Sequence, residues 1–282
     1  MAFTIAVVQP IAHRPPEDER NVKEAVDSVE RAAADGAAFV VFPESYPGPW
    51  RTPASFDPTP VLAETAQRCG TYIQFGTLEP IDEASGAAHQ LSVLAHPDGR
   101  EPGIYRRTHP PGPWLYRGGA YWDFDYVAAD DFPVFDTEFG TVGLGVCSEV
   151  YMPEVSRALA LRGAEIIFLP AGIDKGPLWD TWRTLIWARA IENLALVVTT
   201  QNLFSPTERG LAMVADPERI VFESSAPGLF YVTVDLERSR RLRAEEDGPE
   251  SRNAAKAGVL SQWQRSELHD KLIPHSSASA RT

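Results

Sequence analysis

The chain is 282 residues long, 44% hydrophobic, and carries a formal net charge of −13, a length and content that allow one large α/β core. That charge argues against nucleic acid and anionic membranes as partners, since both are bound through clustered Lys and Arg. The chain's 2 cysteines stand in unrelated contexts and no apolar stretch approaches the ~20 residues of a membrane span, so neither a disulfide framework nor a transmembrane helix is expected.

In chain order, residues 3–8 form a strand-like run without a basic leader or cleavage site, which points to a reduced, cytoplasmic protein. Residues 21–34 carry apolar positions at helical spacing. Residues 38–42 form a second apolar run that ends in Pro43-Glu44. Glu44 therefore projects from the C-terminal end of a buried strand, where open α/β sheets place their ligands. Capping of a neighbouring helix is the competing role for such an acid. Residues 48–60, rich in Pro, Gly and aromatics, read as an ordered loop containing Trp50. Residues 61–69 read as a helix ending at Cys69, a packing cysteine with no acid after it.

Strands are expected over 72–78 and 91–95, followed by a second long loop over 108–133. Loops of that length in a compact domain commonly rim or cover a site. Trp114, Tyr116 and Trp122, with Trp50, are candidate walls of an apolar pocket, although core packing explains some of them equally well. His109 reads as a hydrogen-bonded loop histidine, and Asp123 and Asp125 as solvated loop carboxylates.

The run over 142–147 ends in Cys147, with Ser148-Glu149 beyond it and Pro153-Glu154 opening a helix over 153–162. Such a strand-to-helix elbow presents the thiol near helix N–H groups, whose partial positive charge favours thiolate. Further strands are expected over 166–169, 196–200, 211–215 and 229–234, with a helix over 178–193. Lys175 lies in the loop between, as a solvated lysine or an amine able to swing toward the thiol. Near-continuous apolar strands require cover on both faces, hence helices outside and a second layer inside. Residues 1–245 are expected to form the domain. Residues 246–282 form a polar tail, partly disordered or packed on a partner subunit. No metal-ligand spacing and no phosphate-cradling glycine loop is present, so no metal and no cofactor is expected.

Phe42-Pro43-Glu44, Tyr105-Arg106-Arg107-Thr108-His109, Gly143-Leu144-Gly145-Val146-Cys147-Ser148-Glu149 and Pro153-Glu154 fall in the order and spacing of the nitrilase (carbon–nitrogen hydrolase) superfamily. The stretches Arg157-Ala158-Leu159-Ala160 to Ile167, Trp182-Arg183, Ala188-Arg189-Ala190-Ile191-Glu192-Asn193 and Gly228-Leu229-Phe230 resemble its later elements, so the likeness covers roughly residues 3–243. It implies an α-β-β-α four-layer sandwich that pairs through helices into a homodimer or larger assembly. It also implies a Glu, Lys and Cys triad acting by acyl transfer on a small molecule: Cys147 as nucleophile, Glu44 as acid and base, and the Ser148 backbone N–H on the oxyanion. Glu149 stands where the family often has an acid that orients the site. Helix capping is an alternative for it.

Two positions depart from that pattern. Arg107 stands where the family's Lys aligns, and arginine keeps the charge but is a poor proton donor with a different shape. No Glu lies between Thr108 and Thr137 to match the family's second acid. The leading expectation is a cysteine-dependent hydrolase of a small amide or nitrile, working through a thioester or thioimidate. A non-hydrolytic transformation on the same thiol, or a ligand-binding member without catalysis, are the alternatives.

Overall fold

Two β-sheets stacked face to face, each covered outside by a pair of helices, build the computed structural model, which describes residues 1–109, 118, 122–172, 178–245, 257–261 and 263–268. The first sheet contains β1 (Phe3–Gln9), β2 (Phe39–Val41), β3 (Tyr72–Asp82), β4 (Ala87–Ala95), β5 (Gly103–Arg106) and β6 (Asp125–Tyr126). The second contains β7 (Val134–Asp136), β8 (Thr141–Leu144), β9 (Ile166–Phe168), β10 (Leu196–Thr199), β11 (Ala212–Ala215) and β12 (Ile220–Ser224), side by side in reverse order. The last strand, β13 (Gly228–Val234), returns to the first sheet, whose order is β13-β1-β2-β3-β4-β5 with β6 on β4.

Strand alternation assigns each side chain to a layer. Ile5 and Val7 of β1, with Phe39 and Val41 of β2, face the second sheet, and Phe39 meets Phe168 of β9 across the gap at 5.7 Å between ring centroids. Ala6, Val8, Val40 and Phe42 point the other way. They pack on Ala25 and Val29 of α1 (Arg20–Ala34) and on Leu62 and Ala66 of α2 (Thr59–Cys69). On the far side, Leu159 of α3 (Pro153–Leu161) and Trp182 and Ile186 of α4 (Trp179–Asn193) cover the second sheet. The result is the expected α-β-β-α arrangement.

Strand direction brings one set of ends together. β1, β2 and β3 are parallel, while β4 is antiparallel to β3 and β5 to β4, so β5 runs with β2. β8, β9 and β10 are likewise parallel. The Thr200 hydroxyl donates to Val8 O at 2.7 Å, and Glu44 N donates to Ala171 O at 3.2 Å. The C-terminal ends of both parallel sets therefore open on the same region.

The elements differ from expectation where they are short or poorly buried. β5, β6, β7 and β12 carry too few residues, or too mixed a burial, for an apolar pattern to reveal them. The strand expected over 142–147 stops at Leu144, and Cys147 opens a 3₁₀ turn, Cys147–Tyr151, before α3. A short helix, α5 (Glu237–Arg243), follows β13. Within the polar tail, Val259 and Leu260 pack on Leu194 and Leu242 of the chain's own body. Trp114, Tyr116, Lys175 and most of that tail lie outside the described residues. Among the described residues, no helix is long and apolar enough to cross a membrane.

Candidate active site

Glu44 leaves the end of β2, Arg107 the end of β5 and Cys147 the end of β8, so the first sheet supplies the acid and the cation while the second supplies the thiol. All three are buried: Glu44 is 3% exposed, Arg107 0% and Cys147 9%. Arg107 Nη1 donates to Glu44 Oε1 at 3.0 Å, and its Nη2 donates to Ser148 Oγ at 2.6 Å. One guanidinium thus spans from the carboxylate to the residue beside the thiol. Arg107 Nε donates to His109 O at 3.1 Å, which orients the plane of the fork.

The elbow holding Cys147 is strained and anchored. Cys147 has φ of 51°, a left-handed conformation that is uncommon for a residue with a Cβ and typical of functional sites. Its N–H donates to Pro170 O at 2.7 Å. The following turn is capped by Glu149, whose Oε2 accepts from Val146 N at 2.7 Å.

Glu149 does more than cap. Its Oε1 accepts from Tyr105 Oη at 2.7 Å, Thr108 N at 3.0 Å, Thr108 Oγ1 at 2.8 Å and His109 N at 3.0 Å. It therefore clamps the segment on either side of Arg107 to the cysteine elbow, joining the two sheets. Burial, and then the Glu149 charge, raise the Tyr105 phenol well above its ordinary value, so it is a permanent donor to that carboxylate. Glu149 is fully buried with both oxygens engaged in hydrogen bonds to the chain itself.

Glu44 is fixed on three sides. Its backbone oxygen accepts from Asn202 Nδ2 at 2.8 Å, and its Oε1 accepts from Gln90 Nε2 at 2.7 Å as well as from Arg107. Its Oε2 lies against Gly172, where any Cβ would collide with that oxygen and meet the Trp122 ring at 2.8 Å. A second glycine serves the same loop: a Cβ on Gly76 would strike the backbone of Ser45.

Among the aromatics, Trp122 stands beside the carboxylate and donates to Ser45 Oγ at 3.2 Å. Trp50 is fully buried and packs on Trp122 and Phe204 at 6.1 and 5.3 Å. His109 is partly exposed, with Nδ1 2.8 Å from Thr108 Oγ1. Asp123 is an exposed loop carboxylate that accepts from Gly118 N at 2.9 Å, whereas Asp125 is a half-buried residue of strand β6 and not the solvated loop carboxylate expected. Among the described residues, no cluster of three or more His, Cys, Asp and Glu is arranged to hold a metal.

Sequence reading missed Gln90, Ser45, Thr108, Asn202 and Gly172. Gln90, inside β4, and Ser45, in the turn after β2, are polar residues with no exposure. That signal exists in the sequence, but it becomes legible only once the strand faces are known.

A sequence model of the family described as carbon–nitrogen hydrolase matches residues 4–244. A deaminated glutathione amidase of Synechocystis sp. is 28% identical over 243 residues, covering 80% of this chain and 89% of the relative. The Homo sapiens deaminated glutathione amidase is 30% identical over 254 residues, covering 81% and 76%. The amidase of Nesterenkonia sp. AN1, in a mutant with the acetamide moiety of fluoroacetamide added at its active-site cysteine, superposes with a TM-score of 0.76. That likeness, at 22% identity over 96% of this chain and 97% of the other, is one of fold.

Proposed function

The chain belongs to the carbon–nitrogen hydrolase family, and from that premise we propose that it is an amidase cleaving a small amide through a thioester on Cys147. The observation that carries this reading is the buried path from Glu44 through Arg107 to Ser148, with contacts of 3.0 and 2.6 Å, reaching from the acid to the thiol's neighbour. That the relatives include amidases supports an amide over a nitrile.

In this mechanism the Cys147 thiol gives its proton to Glu44 as sulfur bonds to the amide carbon and the carbonyl electron pair moves onto oxygen. The Arg107 charge and the Ser148 backbone N–H stabilise that oxyanion. Arginine holds its proton above pH ~12, so Arg107 acts as a fixed charge and Glu44 makes every proton transfer. Glu44 then protonates the amine, the C–N bond breaks and the thioester remains. Water gives a proton to Glu44 and attacks the thioester carbon; the C–S bond breaks, the acid leaves, and the thiol regains the proton.

A panel of short aliphatic amides, ω-amides of dicarboxylic acids and matching nitriles tests this by ammonia release and intact-protein mass. Expected are turnover of at least one amide, an acyl adduct on Cys147, and a fall of at least ~10³-fold in Cys147→Ala. No turnover and no modification of Cys147 across the panel would sink the reading. Acyl transfer to an amine is a second reading, motivated by the lack of Glu between Thr108 and Thr137. It predicts that added hydroxylamine diverts most product to hydroxamate, whereas a hydrolase yields mainly acid.

A further inference from the structure

Gln90 belongs to β4, and its backbone oxygen accepts from Arg107 N at 2.9 Å. Its side chain is fully buried, a placement that costs stability unless every polar atom is paired. The amide nitrogen donates to Glu44 Oε1 at 2.7 Å and to Ser45 Oγ at 2.9 Å, while the amide oxygen accepts from Arg107 Nη1 at 3.0 Å. The orientation is unambiguous. Turned over, the amide would set oxygen against the carboxylate and N–H against the guanidinium, losing both contacts.

These contacts make a closed triangle in which Arg107 Nη1 touches Glu44 and Gln90, and Gln90 touches Glu44. Glu44 Oε1 therefore receives two N–H donors, one of them charged, and a proton there would have to displace both. Oε2, on the Gly172 and Trp122 side, is the oxygen left to exchange a proton.

We propose that Gln90 is a positioning residue: it selects Oε2 of Glu44 as the proton-carrying oxygen and fixes the plane of the Arg107 fork. The proposal rests on the reading of Glu44 as the acid–base group, and it adds a residue to that machinery which touches no reacting atom. Donors to a carboxylate favour its charged form, so loss of the Gln90 N–H makes Glu44 keep its proton to higher pH. Glutamate at 90 would add like charge and push in the same direction, further.

The test compares the full-length protein with Gln90→Leu and Gln90→Glu by the pH dependence of kcat/KM, the pH dependence of Cys147 alkylation by iodoacetamide, and thermal melting. In Gln90→Leu the acid limb of kcat/KM should move to higher pH by roughly one unit, so that on the sloping part of the limb the rate at a fixed pH falls about tenfold. KM should change little. Gln90→Glu should move the limb further, and being isosteric it carries the test if the leucine variant fails to fold. An unmoved limb in a folded variant, or an effect confined to KM, overturns the proposal. If the wild-type protein hydrolyses no amide, the amidase reading falls. The alkylation profile then decides separately: a profile shifted by Gln90 variants upholds the positioning role, and an unshifted one removes it.

Discussion

At the residue scale the site depends as much on what is missing as on what is present. Gly172 has room for Glu44 Oε2 only because it lacks a Cβ, and Trp122 closes the space beside it. Gly172→Ala should push the Glu44 carboxylate away from its present position. The expected result is a fall in kcat/KM of about 10²-fold, the scale associated with a displacement near 1 Å, with a circular dichroism spectrum like that of the wild type. Wild-type kinetics in that variant would show that Oε2 tolerates movement and would remove it from the proton path. Cys147 and Glu44 were readable because a thiol or an acid at the end of an apolar run is conspicuous. Gln90 and Gly172 were not, since their roles are contacts across 46 and 128 positions of sequence respectively, the first being a hydrogen bond.

At the element scale, the short helix α5 is joined to the second sheet chiefly by arginines, Leu242 being its one buried apolar side chain. Arg240 forms a two-point pair with Glu165 at 2.7 and 3.0 Å. Arg243 donates to Leu194 O, Ala164 O and Asn193 O at 2.8, 2.6 and 3.0 Å, and burial lowers its guanidinium to about 10. Burial alone would raise the Glu165 carboxyl, but the Arg240 hydrogen bond and the Arg240 and Arg243 charges outweigh it and hold the group below its ordinary value of 4.5. A carboxyl depressed in the folded state adds stability above its unfolded value and loses that contribution as pH falls through the folded one. Arg240→Ala should therefore lower stability by about 1 kcal/mol near pH 7, a modest figure because Arg240 is half exposed, and by less below pH ~4. Urea midpoints at the two pH values measure this, and a deficit that grew on acidification would contradict it. α5 eluded sequence reading because its arginine-rich composition carries no apolar stripe.

At the scale of the whole molecule, the two sheets share one core while dividing the site between them. Phe39 and Phe168 meet across the sheets, and Glu149 of the cysteine elbow grips the end of β5. Separating the sheets would therefore dismantle the site. Phe168→Ala should cost about 3–5 kcal/mol through the cavity it leaves. Loss of catalytic turnover and loss of near-ultraviolet dichroism should share one midpoint in both proteins. Midpoints several degrees apart would mean that the sheets unfold separately.

The sequence by itself determined the layered α/β class, the main helices, and which acid and which thiol stand at the ends of buried apolar runs. Each is written in short-range pattern: apolar runs for strands, helical spacing for the covering layer, and reactive groups at the ends of those runs. The tertiary structure decided which oxygen of Glu44 faces Gly172, what Arg107 holds, and that Glu149 clamps β5 to the elbow. Those outcomes turn on hydrogen bonds between side chains on different strands. Their donors and acceptors meet only when register and strand direction have brought distant segments to one end of both sheets, information that no local window of sequence contains.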